Sequence, residues 1–136
     1  MSREIKFRIY DTDEKEMFYQ EDIDYIDFFT GIVFIREEDG YDYLIDSRSD
    51  GKLMQYTGLK DKNGKEIYER DILSIKIYSG DKVIAEGKTV VEFKDGCFGV
   101  IWGHDKAFLS LNSFFKAKFE VIGNIYENPE LLEGER

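Results

Sequence analysis

Cysteine, histidine, proline and tryptophan each occur once in 136 residues. With Cys97 alone, no intramolecular disulfide can form, and the chain does not look like a small secreted scaffold held by cross-links. With His104 alone, a Ser/His or Cys/His nucleophilic pair has one candidate base, and nothing fixes Cys97 or Ser110 beside it. A loop histidine and a core thiol are the expectation, and a His/Cys metal site is starved of ligands. No apolar run reaches transmembrane length, no signal peptide precedes the first strand pattern, and no cluster of Lys and Arg exists to displace the counterions of a nucleic acid. A cytoplasmic protein that neither enters membranes nor binds nucleic acid directly is expected.

What is present is acidity and aromatic mass. The net charge is −10, and residues 1–50 hold 6 Lys+Arg against 15 Asp+Glu, so the excess sits in the first third. Hydrophobic residues make up 42% and aromatics 15%, which places the chain among folded proteins despite its charge. The simplest account of the acidity is a solvated surface.

The hydrophobic pattern is that of strands. Ile5, Phe7 and Ile9 alternate with Lys6 and Arg8; Met17–Tyr19 returns after the turn Asp11-Thr12-Asp13. Ile32–Ile35 and Tyr41–Ile45 form a hairpin about the charged turn Arg36–Gly40. Leu53–Thr57 is strand-like, and Asp61-Lys62-Asn63-Gly64 is a turn. Further strands are expected over Ile72–Tyr78, Thr89–Lys94, Cys97–Trp102 and Phe119–Tyr126, with Leu73, Ile75, Ile77, Thr89, Val91, Phe93, Phe98, Val100 and Trp102 facing inward. Asp95-Gly96 supplies a two-residue hairpin turn, Ser110 a cap for a helical turn over Leu111–Phe115, and Pro129 closes the ordered region. The predicted fold is mainly β, a β-rich α+β chain with at most one or two short helices. Residues 1–52 make an acidic β-hairpin region; 53–136 make a small SH3-like barrel, or an open sheet packed on the hairpins, and the two regions could form one continuous domain.

Three blocks carry a resemblance. Leu53-Met54-Gln55-Tyr56-Thr57-Gly58-Leu59-Lys60-Asp61-Lys62-Asn63-Gly64-Lys65-Glu66-Ile67-Tyr68-Glu69-Arg70-Asp71-Ile72 resembles the central signature of the YopX family of phage and prophage proteins. Arg3–Asp11 is similar to that family's start and Phe119–Leu132 to its end. Two departures stand out: Tyr10 where the family usually has Trp, and Arg70 where it usually has Gly. If that glycine sits at positive φ, Arg70 needs a relaxed turn or a different backbone. The resemblance implies a phage-encoded, mainly β protein in a bacterial host, and no catalytic residue.

Candidate chemistry is thin. Asp11-x-Asp13 opens like a calcium loop, but Lys15 occupies a ligand position; Asp61-x-Asn63-Gly64 with Glu66 offers oxygens, yet an Asn-Gly turn explains it. Asp81 with Glu92-Phe93-Lys94 has the spacing of a metal-dependent nuclease, and equally that of an amphipathic strand. Tyr41, Tyr43, Tyr56, Tyr68 and Tyr78 lie on or beside strands, where a groove for a host or phage protein could form. Asp22, Asp24, Asp27, Glu37, Glu38 and Asp39 could present a negative surface that mimics a nucleic acid, whose duplex carries a charge per ~1.7 Å, and so inhibits a basic DNA-binding protein. No cofactor is implied. The expected function is that of a non-enzymatic protein-binding or regulatory module, with the acidic mimic and then the nuclease as alternatives; edge strands and aromatic surface make a homo-oligomer plausible.

Overall fold

The computed structural model describes residues 4–133; Arg3 of the first family-like block and the ends of both expected regions lie outside it. Among the described residues the chain forms thirteen strands and three short 3-10 turns, so the expected mainly β class is what the chain adopts. It divides into two compact units, Met1–Tyr56 and Thr57–Arg136.

In the first unit β1 (Phe7–Asp11) pairs antiparallel with β2 (Glu16–Phe18) and with the early residues of β6 (Gly51–Lys60). A separate antiparallel sheet is built from β3 (Ile23–Asp27), β4 (Ile32–Arg36) and β5 (Asp42–Asp46) in that order. Its inner face gives Ile23, Val33, Ile35 and Ile45 to a core shared with Ile9. Gly51 is there because a side chain cannot be: a Cβ would lie 2.5 Å from Ile45 Cγ2.

Two details of the strand alternation need correction. Ile5 lies before β1 and is exposed, while Arg8, expected on the solvent face, is buried with its guanidinium 5.8 Å from the Tyr19 ring. Both faces of β1 are covered, and a long stem ending in a planar cation can be buried against an aromatic ring. In β3 the pairing skips from Ile23↔Ile35 to Tyr25↔Phe34; this bulge at Asp24 buries Ile23 and turns Tyr25 outward, although the two would share a face in a regular strand.

In the second unit β7 (Glu66–Tyr68) runs beside the later residues of β6, β13 (Ala117–Asn124) and β9 (Lys82–Val90) flank β8 (Asp71–Ser79), and β11 (Cys97–Trp102) lies between β10 (Glu92–Lys94) and β12 (Ala107–Ser110). The curled sheets make a half-barrel around Ile67, Leu73, Ile75, Val91, Val100 and Leu111, short of the closed SH3-like barrel expected. Asp95 and Gly96 both have positive φ, as the two-residue hairpin turn requires, and Ser110 Oγ accepts the Asn112 amide to cap Leu111–Ser113. Phe93 faces outward, not inward, because the strand from Thr89 is broken at Val91, which lies between β9 and β10 and resets the alternation. Cys97 is half-buried at the hairpin end, not in the core, and Pro129 opens a 3-10 turn instead of ending the order.

Arg70 occupies the left-handed region with φ 70°, the conformation in which a glycine is comfortable. Its backbone is held at both ends: its amide donates to Val91 O at 2.8 Å, and its carbonyl accepts the Ile125 amide at 3.0 Å.

Candidate functional site

The carboxylates in the calcium-like patterns serve the backbone. Asp11 Oδ1 accepts the amides of Asp13 and Glu14, and its other oxygen accepts the phenol of Tyr43. Asp61 Oδ1 accepts the amides of Asn63 and Lys65, closing the turn, while Oδ2 accepts the Val121 amide at 2.9 Å. Burial pushes the Asp61 carboxyl up, but the amides of Val121, Lys65 and Asn63 outweigh it, and the net effect holds it below the usual carboxylate range.

Asp81 sits in the turn between β8 and β9, whereas Glu92 and Lys94 lie beyond the other end of β9. The nine residues of β9 between them span roughly 30 Å at ~3.3 Å per residue. No group of three His, Cys, Asp or Glu side chains among the described residues is arranged to hold a metal ion. His104 is exposed in the turn before β12 and Cys97 Sγ points to Lys94 O at 3.6 Å.

The five tyrosines have separate fates. Tyr56 and Tyr68 are buried, with Lys6 Nζ 5.7 Å from the Tyr56 ring. Tyr43 is half-buried, and its phenol is raised to about 12, first by the hydrogen bond to Asp11, then by burial and the charge of that carboxylate. Tyr41 is 78% exposed. Tyr78, half-buried in the second unit, lies under Lys118 Nζ at 5.2 Å. Burial withdraws Tyr56 and Tyr68 from any partner, and their position in the sequence carried no mark of it.

The six acidic candidates also divide. Asp22 accepts the Tyr19 amide in a 3-10 turn, Asp24 is paired with Arg36 at 3.4 Å, and Asp27 is held low by the amides of Thr30 and Phe29. Glu37, Glu38 and Asp39 crowd the β4–β5 turn, where Asp22 and the unforeseen Glu16 join them around a groove of about 600 Å³ that Phe18, Ile35 and Arg36 also line.

The sequence reasoning missed the outer face of the β3–β4–β5 sheet. Register places Tyr25 opposite Phe34 and Phe34 opposite Leu44, so one apolar row crosses all three strands. The Tyr25 and Phe34 rings stack at 4.1 Å with an interplanar angle of 15°, while Tyr25 and Leu44 each remain 53% exposed. Acids bracket this row. On one side Ile32 is flanked in register by Asp27 and Asp46; on the other Arg36 faces Asp42 and contacts Asp24. Desolvation raises the Asp42 carboxyl, with the charge of Asp24 and a hydrogen bond shared with it adding to the effect and Arg36 opposing. The hairpin expected about the turn Arg36–Gly40 puts Phe34 opposite Asp42, two residues from the observed register, so neither its pairing with Leu44 nor the bulge that adds Tyr25 was legible.

An apolar row with Asp27 and Asp46 on one side and Asp24, Arg36 and Asp42 on the other, acidic in sum, suits a partner that brings an apolar side chain between cations. Within the described residues no helix is long and apolar enough to cross a membrane.

The fold recurs in solved structures. Protein EF1440 from Enterococcus faecalis superposes with a TM-score of 0.65 at 31% identity, covering 97% of this chain and all of that one. The protein yopX from Bacillus subtilis gives 0.62 at 29% identity, covering 94% and 98%. In sequence, the SPbeta prophage-derived uncharacterized protein YopX of Bacillus subtilis (strain 168) is 40% identical over 74 residues, 52% of this chain; the match spans about half, 53%, of that curated relative's length. The family model described as YopX protein matches residues 6–133. With that match running over every described strand, the chain belongs to the YopX family.

Proposed function

We propose that the protein is a non-enzymatic binding module that docks a partner protein through the outer face of the β3–β4–β5 sheet. The observation that carries this is the row Tyr25–Phe34–Leu44, its two ends exposed on a three-stranded sheet, with Asp27 and Asp46 on one side and Asp24, Asp42 and the intervening Arg36 on the other. The apolar row supplies burial and the frame supplies selection: a partner with lysine or arginine on either side of an aromatic or aliphatic residue satisfies both, and an acidic partner is repelled.

The nucleic-acid mimic is less favoured. A mimic needs a regular array of free carboxylates. Here Asp22, Asp27 and Asp39 are engaged with backbone amides and Asp24 with Arg36, so four of the six anticipated acids serve the fold.

The test uses a synthetic peptide with one tryptophan between lysines, titrated into the labelled full chain and followed by amide NMR. Expected are shifts confined to β3, β4 and β5, loss of roughly tenfold in affinity in Phe34→Ser and Leu44→Ser, and none for the same peptide with glutamates in place of lysines. Equal binding by both peptides, or shifts elsewhere that survive both substitutions, would overturn the proposal.

A further inference from the structure

From the second unit's surface we infer that the partner of this sheet face is a second copy of the same chain. This rests on the docking role proposed above. The tip of the β8–β9 hairpin offers the complementary chemistry. Tyr78, Gly80, Asp81, Lys116, Ala117 and Lys118 line a groove of about 500 Å³ there. Lys118 lies over the Tyr78 ring, and Lys116 Nζ lies 5.7 Å from the ring of Phe115, which is 78% exposed. Val83, the cross-strand neighbour of Tyr78, and the adjoining Ile84 are exposed as well.

The charge of this tip is opposite to that of the chain. Register puts Lys118 directly across from Lys76, with Glu86 across from Lys76 on the other side. With Lys82 at the hairpin end and Lys116 in the groove, four lysines stand against Asp81 and Glu86, in a chain whose net charge is −10. Like charges directly opposed across strands are unfavourable in an isolated sheet. A surface of lysines interleaved with Tyr78, Phe115, Val83 and Ile84 is what the sheet face selects: apolar groups for the Tyr25–Phe34–Leu44 row, and Lys116 and Lys118 for Asp42 and for Asp24, whose solvent-exposed 3.4 Å pair with Arg36 leaves it open to a second cation. Contact between the acidic-framed face of one copy and the hairpin tip of another satisfies both, and the residual repulsion on each is relieved by the other.

Sedimentation velocity on the full chain tests this with two charge-exchange variants, K116E/K118E and D24K/D42K. The wild type is expected to show a concentration-dependent mass above that of a monomer, reduced by salt. Each variant alone should associate at least ~10-fold more weakly with an unchanged circular dichroism spectrum. An equimolar mixture should regain association, because the reversed face of one meets the reversed tip of the other; a misfolded variant would not recover on mixing. Lys118→Gln, a milder change, should weaken association to an intermediate degree. A wild type that stays monomeric, or association indifferent to both variants and to mixing, overturns the inference. If the lysine–tryptophan peptide still binds the sheet face of a monomeric wild type, only the second copy is removed as partner; if it does not bind, the docking role falls too.

Discussion

Asp61 and Val121, sixty residues apart in the chain, are joined by a single hydrogen bond from the Val121 amide to Asp61 Oδ2. The same carboxylate closes its own turn through Asn63 and Lys65, so one side chain ties a local turn to a distant strand.

Asp61→Ala should therefore lower the urea midpoint by an amount equivalent to about 2–4 kcal/mol, since three amides lose their acceptor. Asp61→Asn should cost less because one oxygen remains. The carboxyl is depressed in the folded chain, so its contribution is present above the unfolded value near ~3.9 and is lost as pH falls through the lower folded value. Stability measured against pH should show a shallower acid limb in Asp61→Ala than in the wild type.

The Tyr43 phenol predicts the opposite limb. Its folded value of about 12 lies above the unfolded one near ~10, so its contribution is complete below ~10 and is lost as pH rises through 12. Ultraviolet titration should show a late-ionising tyrosine that is absent from Tyr43→Phe. That variant should also be destabilised at neutral pH by about 1–2 kcal/mol, because Asp11 loses a donor while buried.

Arg70→Gly should raise the denaturation midpoint slightly. The left-handed backbone costs an L-residue about 1–2 kcal/mol, and the extra freedom of glycine in the unfolded chain returns up to ~1 of it. A net gain of under about 1 kcal/mol is expected by urea unfolding, and Arg70→Val should lose stability, as a β-branched residue suits that backbone least.

Asp42→Asn should raise stability at pH 7 relative to the wild type, with the difference vanishing in acid. The carboxyl is raised in the folded chain by desolvation and by Asp24, so its ionised form is disfavoured there and protonation relieves the repulsion. Thermal melts at pH 7 and pH 4 decide it. In the same variant the lysine–tryptophan peptide should bind more weakly.

Gly99→Ala should be among the most damaging single-methyl additions. A Cβ there would lie 2.3 Å from the carbonyl oxygen of Leu109, the backbone of the adjacent strand, which cannot move aside as a side chain would. A loss of about 1–3 kcal/mol or more by urea unfolding is expected.

Much of the fold was legible because it rests on short-range patterns. Leu73 and Ile75 alternate with polar residues and are fully buried; Asp95-Gly96 and Asn63-Gly64 announce turns through conformations that few residues tolerate. β9 was illegible over Lys82–Gly87: Val83, Ile84 and Ala85 are consecutive and exposed, so no period marks a strand that the ladder to β8 holds in place. The short β7 and β12 were missed for want of enough residues to show a period. Proximity to strands marks all five tyrosines alike, and only packing distinguishes buried Tyr56 from exposed Tyr41.

The sequence by itself determined the class of the fold, its principal turns, its family and the concentration of acid in the first fifty residues, because each depends on residue type and close neighbours. Tertiary structure alone decided that Arg8 is buried, that Asp61 reaches Val121, and that a bulge at Asp24 turns Tyr25 out to join Phe34 and Leu44. The physical reason is that burial and cross-strand register depend on which distant segment covers a residue, and a shift of one position in an antiparallel pair moves a side chain from the core to solvent.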